Sequence, residues 1–186
     1  MAHLKPLFIV FFICVAFISR SQDKYYTKSG KIEFYSKASL EDIEAKNKTV
    51  SAILDSKSGV LQFSVLMKSF EFEKALMQEH FNTDYVESDK YPKAEFKGTI
   101  TNNPNINYNK EGSYTAHVKG QLTMHGVTRD IETTGTIKTD GTQLETYATF
   151  TITLSDFNIK IQSIVKNKVA RTIKITVDCK LEPLKG

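Results

Sequence analysis

The sequence predicts an all-β fold in which eight antiparallel strands close into a barrel, with one short helix capping an end. Three observations carry this prediction. Apolar and polar residues alternate with period two through most of residues 60–183, which gives each strand one dry face and one wet face. Several alternating runs reach ten or more residues with turn signals between them, longer than a two-sheet sandwich needs. Closing such strands into a barrel removes the exposed edges a flat sheet would leave. Only Phe72–Phe81 has convincing helical spacing.

Two weaker runs, KIEFYSKA (31–38) and KTVSAIL (48–54), open the series. In VLQFSVLMK (60–68), Leu61, Phe63, Val65 and Met67 share one face. The helix follows, and Phe70, Phe72, Leu76 and Phe81 recur at near-helical spacing, as a plug or gate for one barrel end would. Then AEFKGTI places Ala94, Phe96, Gly98 and Ile100 together. SYTAHVKGQLTMHG aligns Tyr114, Ala116, Val118, Gly120, Leu122 and Met124. VTRDIETTGTIK (127–138) alternates less cleanly. LETYATFTITL aligns Leu144, Ala148, Phe150, Ile152 and Leu154, and the last run aligns Val169, Ile173, Ile175, Val177, Cys179 and Leu181. IKIQSIVKNK (159–168) reads as a loop or short turn.

The N-terminus has a different character. Lys5 precedes an unbroken apolar run, Leu7–Ile18, followed by Ser19, Arg20 and Ser21. That is the plan of a secretory signal peptide, residues 1–21, with cleavage near Ser21-Gln22, and the run is short for a bilayer span. The remainder, residues 22–186, suits one domain that is periplasmic or secreted. Without residues 1–21 the chain keeps 23 basic and 21 acidic side chains, a balance that excludes a nucleic-acid binder. Its one cysteine, Cys179, rules out an internal disulfide and reads as a core filler.

Small residues interrupt the apolar face at Ala52, Ala94, Gly98, Ala116, Gly120, Gly135 and Ala148. An eight-stranded barrel is just wide enough to be filled by side chains or to hold one small ligand. Small inward residues favour a cavity, but they also alternate with large ones to fit a taper, and the pattern leaves both readings open.

Chemistry finds little footing. His117 and His125 lie eight apart, about 26 Å along one regular strand at ~3.3 Å per residue, so they cannot share an ion. Neither they nor His80 have metal-ligand spacing, and no metal or cofactor is expected. His125-Gly126 reads as a hairpin turn, with His125 hydrogen-bonding locally and Gly126 supplying φ > 0. No G-x-S-x-G, H-E-x-x-H or P-loop is present, so the chain does not read as an enzyme. Glu87 and Asp89, beside Lys90 and Lys93, read as a solvated turn whose Pro92 leads into a strand. Asn47-Lys48-Thr49 fits a glycosylation sequon.

Three motifs carry a resemblance. His80-Phe81 ends the helix, and Glu87-Ser88-Asp89-Lys90-Tyr91-Pro92 leads into Ala94-Glu95-Phe96-Lys97-Gly98. Leu122-Thr123-Met124-His125-Gly126-Val127-Thr128 ends a strand, and Leu154-Ser155-Asp156-Phe157 precedes the last loop. In order and spacing these resemble the YceI-like family of lipid- and polyisoprenoid-binding envelope proteins, over most of residues 26–184. The resemblance implies a lipocalin-like barrel holding a long isoprenoid or fatty-acid-derived chain in its lumen. It leaves room for transient membrane contact and for a homodimer.

Joined to the strand pattern, it nominates a ligand-binding lumen of Phe63, Val65, Met67, Phe96, Ile100, Val118, Leu122, Phe150, Ile152, Ile173 and Ile175. The alternative is a ligand-free, filled barrel that works through its outer surface as a structural or interaction protein of the envelope. An enzyme acting on isoprenoids ranks last, because no residue can be assigned to its chemistry.

Overall fold

The computed structural model describes residues 23–163 and 167–184; the segment 1–21, expected to be a signal peptide, lies outside them. The strands are β1 (Lys24–Lys37), β2 (Asp42–Asp55), β3 (Val60–Leu66), β4 (Glu71–Phe72) and β5 (Lys93–Ile100). After these come β6 (Gly112–Met124), β7 (Val127–Thr139), β8 (Leu144–Thr153) and β9 (Thr172–Pro183). Neighbours pair antiparallel in the order β1-β9-β8-β7-β6-β5-β3-β2, and β1 pairs with β2 to close the barrel. The two-residue β4 hangs on β2, with Ala45 opposite Phe72.

The first two strands are twice as long as their alternation predicts, and their register explains why. β1 gains a residue on β2 between Thr27 and Gly30, and β2 gains one back between Asn47 and Val50. Each bulge reverses the inside–outside phase, so a period-two search finds only half of each strand. Asn47 fixes the second bulge: its Oδ1 accepts from the Thr49 amide at 2.9 Å, and its Nδ2 donates to the Leu66 carbonyl at 2.9 Å. The asparagine of the sequon is therefore a fully buried structural residue, closed to a glycan in the folded chain.

The helix is shorter and later than its spacing predicts. Helix α1 covers Ala75–His80, residues 71–72 are strand instead, and the chain continues as a π turn over Phe81–Tyr85. Phe72 thus reaches the barrel end from a strand, and its spacing with Phe81 coincides with helical periodicity without arising from it.

The wall is uneven. β6 and β7 pair through thirteen positions, from Gly112–Thr139 to Met124–Val127. The β7–β8 ladder stops at Gly135–Ala148, and beyond it only the Thr133 hydroxyl reaches across, donating to the Thr149 carbonyl at 3.3 Å. Past β8 the chain turns through Leu154–Phe157 and packs against β7.

The core divides between the two ends. At the far end Tyr25, Leu54, Ile106, Tyr108, Ile137, Leu144, Cys179 and Leu181 form a buried cluster. The Tyr108 hydroxyl donates to Asn103 Oδ1 at 2.7 Å, while the Tyr108 carbonyl accepts from Thr139 Oγ1 at 3.0 Å. Burial pushes the Tyr108 hydroxyl well above its ordinary range. Burial likewise raises the Cys179 thiol, to about 11, consistent with a core filler.

Candidate functional site

Between the plugged far end and α1 lies one large cavity of about 570 Å³. Ligand sites typically occupy roughly 300–1,000 Å³, so this space is of the right order for one small molecule. All eleven nominated lumen residues line it, from Phe63 on β3 to Ile175 on β9. So do Phe70, Phe72, Leu76 and Phe81 at the helix end.

The inward side chains themselves show that the lumen is not filled. Phe63, Phe96, Val118, Phe150 and Ile175 point inward by strand phase yet remain only part-buried, because their inner surfaces border empty space. A side-chain-filled barrel would bury them as completely as Leu144 and Phe157, at 0% and 1% exposure.

Small residues contribute in two different ways. Ala52, Ala94, Ala116, Gly135 and Ala148 border the cavity and leave room, as expected. Gly98 and Gly120 do not. They face each other across the β5–β6 ladder, and the Phe96 ring lies over both. A Cβ on Gly120 would come within 2.5 Å of the Gly98 Cα and 2.6 Å of Phe96 Cζ. These glycines seat an aromatic ring on the inner wall rather than widening the lumen.

The lining also includes residues that the alternation did not reveal. Ile32 and Phe34 on β1 line the cavity, although neither was nominated from the KIEFYSKA run that holds them. Phe34 is the hub of the helix end, with ring centroids 5.4 Å from Phe70, 5.7 Å from Phe72 and 5.5 Å from Phe81. Phe70 is buried, whereas Leu76 stands 61% exposed at the rim. The four cap residues therefore differ: three join an aromatic cluster with Phe34, and Leu76 faces outward.

The polar side chains of the site gather at this same end. Lys74 Nζ on the helix side meets Glu41 Oε1 of the β1–β2 turn at 2.8 Å, and His80 Nδ1 meets Asp84 Oδ2 at 2.7 Å. The lysine holds the Glu41 carboxyl below its ordinary value; His80 first, then Thr83, do the same for Asp84. The remaining lining is almost wholly apolar.

The three motif segments meet beside the cavity, in an arrangement that their sequence reading as separate turns did not anticipate. His125 does not bond locally. Its Nδ1 donates to the Phe157 carbonyl at 2.9 Å, and its Nε2 meets Glu87 Oε2 at 2.7 Å. The Tyr91 ring packs edge-on against His125 at 4.7 Å between centroids, and it lies over Gly126. Glu87 therefore belongs to a fastening and not to a solvated turn, and neighbouring Ser88 is buried. Among the described residues, Glu87, His125 and Asn158 are the non-glycine positions with positive φ, at 45°, 51° and 57°. All three belong to this clasp, where side-chain contacts hold backbone that L-residues adopt at a cost. Val86, Met124, Leu154 and Ile159, adjacent in sequence, line the cavity. The clasp thus sets the shape of the helix end.

Among the described residues no group of three or more histidine, cysteine or acidic side chains is placed to hold a metal ion, and no helix is long and apolar enough to cross a membrane.

Comparison with known proteins gives the fold its relatives. A polyisoprenoid-binding domain from Saccharophagus degradans superposes with a TM-score of 0.76 at 13% identity, covering 87% of this chain and 99% of that one. BcnA of Burkholderia cenocepacia gives 0.67 at 20% identity, over 82% and 95% of the two chains. The Campylobacter jejuni YCEI protein gives 0.56 at 21% identity, over 75% and 84%. No curated protein sequence matches at a significant level. The YceI-like domain profile matches residues 23–181, nearly the whole described barrel, and the chain belongs to the YceI-like family.

Proposed function

We propose that the protein is a non-enzymatic carrier that holds an amphiphile with a long apolar chain, a polyisoprenoid or fatty-acid derivative, inside its barrel. The observation that carries this reading is the apolar cavity onto which Phe63, Phe96, Phe150 and Ile175 are left part-exposed. Each methylene of a bound chain removes about 0.8 kcal/mol of apolar surface from water, so a long chain binds tightly without many polar contacts. The polyisoprenoid-binding domain among the structural relatives supports the same ligand class. The alternative of a filled barrel loses its main support, because the interior is not packed.

The apolar run Leu7–Ile18 and the residues after it support export, with removal of the segment near Ser21-Gln22 and a working place in the periplasm or outside the cell. Transient contact with a membrane is where a water-insoluble ligand would be collected or released.

Native mass spectrometry of the protein purified from its own envelope, followed by organic extraction, tests the reading. A discrete added mass that yields a prenyl or acyl chain is the expected result. Phe150→Asp, which places a charge in mid-lumen, should abolish retention of that mass. A folded Phe150→Asp protein with unchanged lipid content would refute lumen binding. N-terminal sequencing of the same preparation tests export, and an intact Met1 would refute it.

A further inference from the structure

The two most exposed large apolar side chains among the described residues are Leu40, at 70%, and Leu76, at 61%. Both stand at the helix end, on segments that are tied together. Leu40 lies in the β1–β2 turn, and its amide donates to the Asn167 carbonyl at 3.0 Å. The next residue, Glu41, meets Lys74 at 2.8 Å, two positions before Leu76. Glu41, Lys74, Leu76 and Lys168 all line the cavity, so these three segments make its rim. No residue of α1 is buried, and its apolar Ala75 and Leu76 are exposed. A single exposed leucine is ordinary, but two at the rim of an apolar cavity extend its surface outward.

The rim also has a cationic side. No acidic residue occurs between Asp156 and Asp178, and the connection from residue 158 to β9 carries Lys160, Lys168 and Arg171, all exposed. Ile159, Gln162, Lys168 and Val169 of this connection line the cavity. The rim acids nearest the lumen are engaged: Glu41 by Lys74 first, with Lys168 also holding its carboxyl low, and Asp84 by His80. Glu73 and Glu79 keep the α1 side from being cationic, so the basic charge belongs to the connection.

We propose that this rim docks on a membrane leaflet containing anionic lipid, with Leu40 and Leu76 entering the headgroup layer and Lys160, Lys168 and Arg171 meeting lipid phosphates. The proposal rests on the reading that the lumen holds a long apolar chain, and it adds which face of the barrel meets the membrane. Exposed apolar side chains beside basic ones match an anionic lipid surface in both of its properties. A chain insoluble in water needs an apolar path from leaflet to lumen. Leu76, exposed outside and lining the cavity inside, belongs to both ends of that path.

Flotation of the purified protein with phosphatidylcholine vesicles, with and without phosphatidylglycerol, tests this. The protein should float with the anionic vesicles more than with the neutral ones, and added salt should weaken the difference. Leu40→Asp and Lys160→Glu should each weaken vesicle binding about fivefold or more. Lys138→Glu, the same charge change on β7 at the far end, should leave it nearly unchanged. Neither Leu40 nor Lys160 lines the cavity, so native mass spectrometry should find lipid retained in both variants. Vesicle binding unmoved by Leu40→Asp and Lys160→Glu, an equal loss with Lys138→Glu, or a lipid-loaded protein that floats with neither vesicle would overturn the docking face and leave the lumen reading standing. Self-association that Leu40→Asp abolishes would also overturn it, by giving the rim to a second copy. An unmodified protein that carries no lipid and binds no vesicle would overturn both.

Discussion

The two ends of this barrel are built from similar residues to opposite effect. At the far end leucine, isoleucine and tyrosine side chains pack into a buried cluster; Leu144 is 0% exposed, and one of the two buried tyrosines, Tyr108, has its hydroxyl bound to Asn103. At the helix end the Phe34, Phe72 and Phe81 rings lie within 5.7 Å of one another, centroid to centroid, but stay part-buried, and Phe63, Phe96 and Phe150 border the cavity. One end of the barrel is a buried cluster, and the other leaves apolar surface bordering a cavity. Apolar residues at strand phase are therefore not equivalent, and what separates them is whether the opposite wall reaches across.

Substitutions at matched positions break or sharpen this contrast. Leu144→Ala should cost about 2–5 kcal/mol in urea unfolding, because close-packed neighbours cannot collapse into the vacated space. Phe150→Ala removes more atoms yet should cost only about 1–2 kcal/mol in the ligand-free protein, since half of that ring's contacts are absent already. The reverse order would erase the distinction between the ends.

The far end should also respond to alkali. Burial lifts the Cys179 thiol from 9.0 to about 11, so between those values the unfolded chain loses a proton that the folded chain keeps. Stability contributed below pH 9 should then decline as pH rises toward 11, and Tyr108, also raised by burial, acts in the same direction. Urea midpoints across that window should fall less steeply for Cys179→Ala. The smallest effect is expected on the outer wall: Lys119→Ala breaks an exposed pair with Glu132 and should change stability by less than about 0.5 kcal/mol.

Much of the barrel was legible because alternation survives wherever strands run without bulges. β5, β6 and β9 were found nearly end to end, and all eleven lumen residues chosen from strand phase line the cavity. Ile32 and Phe34 lie past the bulge in KIEFYSKA, where the adjacent aromatic Tyr35 and the polar Ser36 blur which face is apolar, and they were not nominated. Gly98 and Gly120 could be read as room for a ligand or as part of a taper, since one strand's pattern cannot show a ring from position 96 folding back over its own neighbour. The clasp was invisible as a unit for a related reason. His125 is 38 residues from Glu87 and 32 from Phe157, and no local rule links such partners. A histidine and an acid at positive φ in separate turns were the one available signal, and φ is not written in the sequence.

The early end of the β7–β8 ladder bears on how the barrel moves. Past Gly135 and Ala148 these two strands face each other without paired backbone, and one threonine hydroxyl spans the gap. Parting them there breaks no interstrand backbone hydrogen bond, whereas parting β6 from β7 would break a whole row. Amide protons on the facing edges of Glu132–Thr134 and Thr149–Thr151 should accordingly exchange with deuterated water well ahead of those between β6 and β7. That seam is where backbone pairing in the wall is thinnest, while each other pair of neighbouring strands keeps its ladder.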